Sequence, residues 1–236
     1  MDKIKCCLCG GNTGDFVHQT VVQCQDCGLY INTVAPDKEN LKIRLKDMLL
    51  SACWRPGGAE RRIAKANIQL DNIEKYIQPG KVFDVGSASG FFMKAAQDRG
   101  WEAHGNDISK AAIVWAKNKY DLGIHYEFYE DIDLPSDYYD AVVMWNTLEH
   151  THNPAETLAV TKRILKKGGI VYIKIPEKGT LEALKKHYED LHLYEFKINI
   201  LQDYLKSIGF VEKQIRKEWD VEGCPATEYL YQLEEK

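Results

Sequence analysis

No run of eighteen apolar residues occurs anywhere in the 236-residue chain, so no segment is expected to cross a bilayer as a helix. A secretory leader is missing too: Met1-Asp2-Lys3-Ile4-Lys5 leads straight into cysteines, and a cytoplasmic protein with no membrane partner is expected. Charge of one sign is not in excess. The 31 basic side chains against 35 acidic ones leave a net charge of -4, which implies no general polyanion-binding surface and disfavours nucleic acid as a partner. Pairs such as Arg61-Arg62 and Lys162-Arg163 read as solvated helix faces. Repeats and low-complexity tracts are also absent, and the length suits one α/β domain with a small appendage.

Cysteine is not scarce, and four of the seven are arranged in pairs. Cys6-x-x-Cys9 and Cys24-x-x-Cys27 are separated by fourteen residues, a zinc-ribbon spacing. Each pair is followed by glycine, Gly10 or Gly28, which permits the positive-φ turn that aims two sulfurs at one ion. Two disulfides are the competing reading, disfavoured in a reducing compartment. Buried thiols are another, disfavoured in a segment too short to build its own core. Four thiolates leave no open coordination position, so a structural zinc is expected. Cys7 reads as a bystander, and Cys53 and Cys224 as core or surface thiols.

A dinucleotide fingerprint, G-x-G-x-x-G, is missing as well. In its place stands Val82-Phe83-Asp84-Val85-Gly86-Ser87-Ala88-Ser89-Gly90-Phe91-Phe92, an apolar strand entering a small-residue turn and a helix. Gly86 and Gly90 allow close backbone approach, and the helix points its amide-rich end at the same place. Asp84, two residues before the first glycine, would repel a pyrophosphate. It suits a phosphate-free cofactor carrying a sulfonium and an ammonium, S-adenosylmethionine. Seventeen residues after Gly90, Asp107 follows the next apolar strand, where a carboxylate can accept from both ribose hydroxyls. Ser109 is the better N-cap for the helix after it.

These residues carry a family resemblance. Val82 to Gly90 resembles motif I of class I S-adenosylmethionine-dependent methyltransferases, and Gly105 to Ser109 resembles their second acidic motif. Leu134-Pro135 with Tyr139 to Val143 looks like their fourth strand, and Leu148-Glu149-His150 matches the L-E-H that often follows it. The matching spans roughly residues 81 to 179, with weaker echoes at 192–196 and 208–210. One departure is Ala88 at the family's middle glycine, which adds a methyl group near the methionine part of the cofactor. The resemblance implies an α/β, Rossmann-like sheet of seven strands with helices on both faces, ending in an antiparallel hairpin. The expected organisation is a ribbon over 1–34, a helical lid or linker over 35–78 and a cofactor-binding domain over 79–236.

Within that frame Asp84 is placed near the methionine ammonium, acting either directly or by organising the glycine loop. Gly86, Ser87, Ala88, Gly90 and Phe91 form the turn around the ligand, Ile108 sits beside Asp107, and Asn146 closes the strand end nearby. Phe128 and Tyr129, following an expected third strand over 124–129, are placed at the adenine, with a core role for Tyr129 as the alternative. His150 is the candidate general base, with Glu149 orienting it, and capping or packing is the competing role. In quinol methyltransferases sharing L-E-H the pair is base or metal ligand. Their metal pattern also wants an acid at the position of Asn146, which disfavours a divalent metal here. His192 and Tyr194 reach the pocket from the C-terminal side or form a helix lead-in. The expected helices include 91–99, 110–120, 154–167 and 197–207, with strands at 138–145, 170–175, 210–217 and 227–234. The acceptor is expected to be a small molecule such as a sugar or another biosynthetic intermediate. The alternatives are methylation of protein or RNA with the ribbon as recognition module, or a binding and assembly protein without turnover.

Overall fold

The computed structural model describes residues 4–18, 20–34, 38–45, 57–176, 192–219 and 225–234. Its centre is a six-stranded sheet in the order β5-β4-β6-β7-β10-β9. Strands β4 (Lys81–Val85), β5 (Glu102–Asn106), β6 (Tyr139–Trp145) and β7 (Leu165–Pro176) run parallel. The antiparallel hairpin of β9 (Phe210–Trp219) and β10 (Pro225–Leu233) completes it, as the resemblance implied. The parallel strands are near-continuous apolar runs because both faces are covered. Phe83, Val85, Val142 and Met144 face one apolar cluster, and Val82, Ala141, Val143 and Tyr172 the other.

The connections are helical: α3 (Phe91–Asp98) between β4 and β5, α4 (Lys110–Tyr120) after β5, and α5 (Pro154–Ile164) between β6 and β7. Ahead of the sheet lie α1 (Lys38–Leu45) and α2 (Gly58–Ile73); α6 (Ile198–Ser207) precedes β9. Residues 46–56 of the helical segment expected over 35–78, among them Cys53, and also Cys224, lie outside the described residues. Helix starts follow local chemistry. Asn153 accepts hydrogen bonds from the amides of Ala155 and Glu156 with Pro154 at the first position, and Ser109 accepts from the Ala112 amide.

Two expectations are corrected. The strand expected over 124–129 is reduced to one parallel bridge, Asn106 to His125, so the described sheet has six strands rather than seven. Beyond His125 the Asn106 side chain, not the β5 backbone, holds the Glu127 carbonyl at 2.9 Å, and the chain turns into a short helical turn at Tyr129–Asp131. The helix expected to run to 167 ends at Ile164. Leu165 leaves with extended dihedrals and pairs with Tyr139, so Gly168 (φ +74°) and Gly169 serve an irregular strand start rather than a helix end.

The N-terminal hairpin is fused to this body. Its strands β1 (Thr13–His18), β2 (Val21–Cys24) and β3 (Tyr30–Asn32) form an antiparallel sheet, and its fourth strand comes from far along the chain: β8 (Tyr194–Glu195), paired with β3. Cys6, Leu8, Val22, Leu29 and Ile31 share one apolar cluster with Leu193, Phe196, Ile200 and Leu201. A hairpin this short has little interior of its own and gains burial by joining a larger core.

Candidate functional site

At the C-terminal ends of β4 and β5 the backbone is crowded. A Cβ on Gly105 would lie 2.8 Å from the Asp84 carbonyl oxygen and 2.9 Å from Met93 Sδ, so only glycine lets the two strand ends approach. The turn that follows β4 carries three successive alternate residues with positive φ: Gly86 (+71°), Ala88 (+48°) and Gly90 (+70°). Ala88 therefore differs from the family's glycine chiefly in backbone conformation. A left-handed alanine costs about 1 kcal/mol. The compensating contact is the Ala88 amide donating to Asp107 Oδ2 at 2.8 Å, and the Ser87 amide donates to the Asn106 carbonyl at 2.9 Å.

Asp107 is thus a structural acceptor before any ligand arrives. Its other oxygen accepts from the Ser109 amide at 2.7 Å, and burial pushes its pKa up against the pull of the Ser109, Ala88 and Ile108 amides. Asp84 is more extreme. It is 2% exposed, and its Oδ1 is buried with no hydrogen-bond partner among the described residues. Its pKa is raised well above the ordinary carboxylate range by burial, and further by the charge of Asp107. Two carboxylates that repel each other in a poorly solvated place form an anion-rejecting, cation-seeking pair.

The remaining expected cofactor residues divide. Gly86, Ser87, Ala88 and Gly90 make the turn, with Ile108 partly exposed beside it. The Phe91 ring is directed away, packed on Trp115 and Tyr120 at centroid distances of 5.4 and 6.2 Å, so Phe91 can offer the turn only its backbone. Tyr129 has its side chain in the core, its ring 5.4 Å from that of Phe83 and its hydroxyl on Thr161. Its placement as an adenine-facing ring is therefore corrected; the backbone amide is what it can present. Phe128 is covered by α1, with Lys38 and Lys42 each 5.1 Å from its ring and ion-paired to Asp131 and Glu127.

Asn146 follows β6 with φ +51°, its amide on the Lys174 carbonyl at 2.9 Å. Its neighbour Thr147 had no sequence signal yet joins the two halves of the site. The Thr147 hydroxyl donates within reach of the Val85 and Trp145 carbonyls (3.1 and 3.2 Å), and its side chain fills the space a Gly86 Cβ would occupy. The L-E-H residues form a helical turn, Leu148–His150, directly after it. Glu149 is buried and His150 partly exposed. The His150 ring meets His192 edge-on, centroids 4.7 Å apart at 80°. Glu149, His150 and His192 have side-chain donor atoms within 4.8 Å of one another. His192 is followed by strand β8, not by helix, which corrects the lead-in alternative. Trp145, at the end of β6, carries a buried Nε1 without a partner among the described residues, and its ring packs tilted on Phe92 and edge-on against Tyr172.

Cys6, Cys9, Cys24 and Cys27 converge, all four sulfurs within 4.8 Å and none in a disulfide. The Cys6–Cys27 and Cys9–Cys24 separations are 3.7 and 3.5 Å. A tetrahedron with metal–sulfur bonds of about 2.3 Å has edges of about 3.8 Å, so the set fits a four-thiolate ion. Both knuckles close alike: the Gly10 amide donates to the Cys6 carbonyl and the Gly28 amide to that of Cys24, with φ of +73° and +82°. At Cys24 burial raises the thiol, but the amides of Cys27 and Asp26 outweigh it and leave a pKa of about 7.

Similarity to known proteins agrees with this geometry. A ubiquinone biosynthesis O-methyltransferase of Alkalilimnicola ehrlichii is 29% identical over 137 residues, 53% of this chain and 55% of that one. An uncharacterized protein of Methanocaldococcus jannaschii is 26% identical over 152 residues, 60% of this chain and 70% of the other. The chain spans about half the length of the ubiquinone-type relatives it matches. The fold is shared with an S-adenosylmethionine-dependent methyltransferase of Archaeoglobus fulgidus, at TM-score 0.59 and 18% identity over 72% of this chain and 94% of that one. A family model described as "Methyltransferase domain" matches residues 59–210, well over half the chain, and the protein belongs to that family.

Proposed function

We propose that the protein transfers a methyl group from S-adenosylmethionine to a hydroxyl of a small-molecule acceptor. The observation that carries this reading is the buried pair Asp84 and Asp107 flanking a positive-φ turn. A nicotinamide or flavin dinucleotide would bring a pyrophosphate against that pair. S-adenosylmethionine instead brings an ammonium for Asp84, ribose hydroxyls for Asp107, and a methyl carbon made electrophilic by its sulfonium. The positive-φ turn and the segment at Phe128 then enclose the adenosine end.

The chain's own residues do the rest. Methyl transfer is an in-line displacement, so the protein's main task is to hold the acceptor oxygen near attack distance. Thr147 fixes the Leu148–His150 turn against Gly86, and on this reading His150 serves the acceptor side of the site, with the buried Glu149 as its neighbour in the turn. His150 takes the acceptor's proton as the oxygen–carbon bond forms. A hydroxyl acceptor is supported by the O-methyltransferase names of the relatives; a phenol or a sugar hydroxyl would need the same base. The net charge of -4 gives no support to an RNA acceptor. Among the described residues no helix is long and apolar enough to cross a membrane. The four-cysteine set is assigned a structural zinc, since it leaves no position for substrate or water.

Three outcomes are expected. Metal analysis of the purified protein should find about one zinc per chain, reduced in Cys24→Ala; a well-folded wild type free of zinc would contradict the assignment. Calorimetry should show binding of S-adenosylmethionine but not NAD, and Asp107→Ala should weaken it by at least ~1.5 kcal/mol through lost charge-assisted hydrogen bonds. Equal affinity in mutant and wild type would remove Asp107 from the site. With an identified acceptor, His150→Ala should leave cofactor affinity nearly unchanged and lower turnover by roughly 10²-fold. Full turnover with a lower melting temperature would make His150 a packing residue.

A further inference from the structure

The His150–His192 contact joins residues 42 positions apart, and the backbone around Leu193 explains how it is held. Leu193 is 1% exposed and lies between two partners. Its carbonyl accepts from the Asn32 amide of the ribbon at 2.9 Å, and its own amide donates to the Glu149 carbonyl at 2.9 Å. The next residues continue the attachment: Tyr194 pairs with Ile31 and Glu195 with Tyr30, and the Tyr194 hydroxyl donates to the His152 carbonyl at 2.7 Å. Among the described strands β8 pairs only with β3. Two residues cannot sustain a strand alone, so its position depends on the ribbon edge. The side chains of Leu193 and Phe196 are buried in the same cluster as the ribbon's Leu29 and Ile31.

We propose that the four-cysteine ribbon is the platform that positions His192 against His150, so that the acceptor side of the site is assembled through the ribbon while the cofactor side is not. This rests on the reading of Glu149–His150 as the acceptor side. His192 acts here as a positioning residue: its edge-on contact fixes the His150 ring, and Leu193 is the splice. The ribbon's contribution travels by two consecutive backbone hydrogen bonds, Asn32 to Leu193 and Leu193 to Glu149, a path that by-passes β4, β5 and the glycine turn. Unlike a recognition module, such a ribbon is required by the site even when nothing binds to it.

The test uses the full-length, metal-loaded protein. Asn32→Pro removes the amide that Leu193 accepts from, without touching a cysteine; Tyr194→Phe removes the anchor on His152 and leaves the strand intact. Zinc content and S-adenosylhomocysteine affinity should stay within about twofold of wild type in both. Amide exchange at Leu193, read on the protein without ligand, should speed up by about tenfold or more in Asn32→Pro and less in Tyr194→Phe. The His150 imidazole resonances should move towards those seen in His192→Ala. Unchanged Leu193 exchange and unchanged His150 resonances in both variants would overturn the proposal. So would a loss of S-adenosylhomocysteine affinity parallel to the exchange, because the ribbon would then support the whole domain. Failure of the wild type to bind S-adenosylhomocysteine would instead overturn the cofactor reading, and the exchange and resonance data would still decide the coupling.

Discussion

Two carboxylates buried next to each other at the ends of parallel strands are costly in any fold, and much of the local architecture answers that cost. Asp107 is met by two backbone amides, and one of them, from Ala88, requires the turn to adopt a left-handed conformation at a non-glycine residue. Gly105 brings β5 close enough to β4 for the pair to feel each other. Asp84 is left with a buried oxygen that nothing among the described residues satisfies. Such a group is retained at the expense of stability, and on the proposed reading it meets a ligand of opposite charge.

A second dependency runs through the Leu148–His150 turn. Thr147 ties the L-E-H turn to the cofactor turn, and Leu193 ties the same turn to the ribbon. The two attachments approach Leu148–His150 from different parts of the molecule, so the turn is fixed from both. On the proposed reading His150 then has little freedom to lose, which is what a displacement reaction with a poor nucleophile asks of its base.

What the sequence made legible was local or charged. Asp84, the glycine turn and Asp107 stand within 24 positions, the cysteine pairs carry their own glycines, and Asn153-Pro154 marks a helix start without any tertiary information. Residues whose roles arise from pairing across long separations were not legible. The pairing of β8 with β3 joins positions more than 160 apart, so His192 had two open roles. For Tyr129, whose core role had stayed open, and for Phe91, the sequence could not say where the ring goes, because an aromatic beside such a motif looks the same whether its ring faces a ligand or the core. The expected third strand shrank to a single bridge for a different reason: beyond His125, Asn106 holds the Glu127 carbonyl with its side chain where a ladder needs backbone. Thr147 is an ordinary residue made important only by the absent Cβ of Gly86.

The central claim, that Asp84 awaits the ammonium of an adenosyl amino acid, has a direct thermodynamic signature. A carboxyl held protonated by burial and by Asp107 must ionise to pair with a cation, so binding releases a proton wherever the free protein keeps Asp84 neutral. Affinity should then rise with pH through that range and level off once Asp84 is ionised in the free protein. Calorimetric titration with S-adenosylhomocysteine between about pH 5 and 8, in buffers of differing ionisation enthalpy, counts that proton. The account predicts proton release and rising affinity in the wild type, with both lost in Asp84→Asn. A wild type whose affinity is flat across this range and which releases no proton would contradict it.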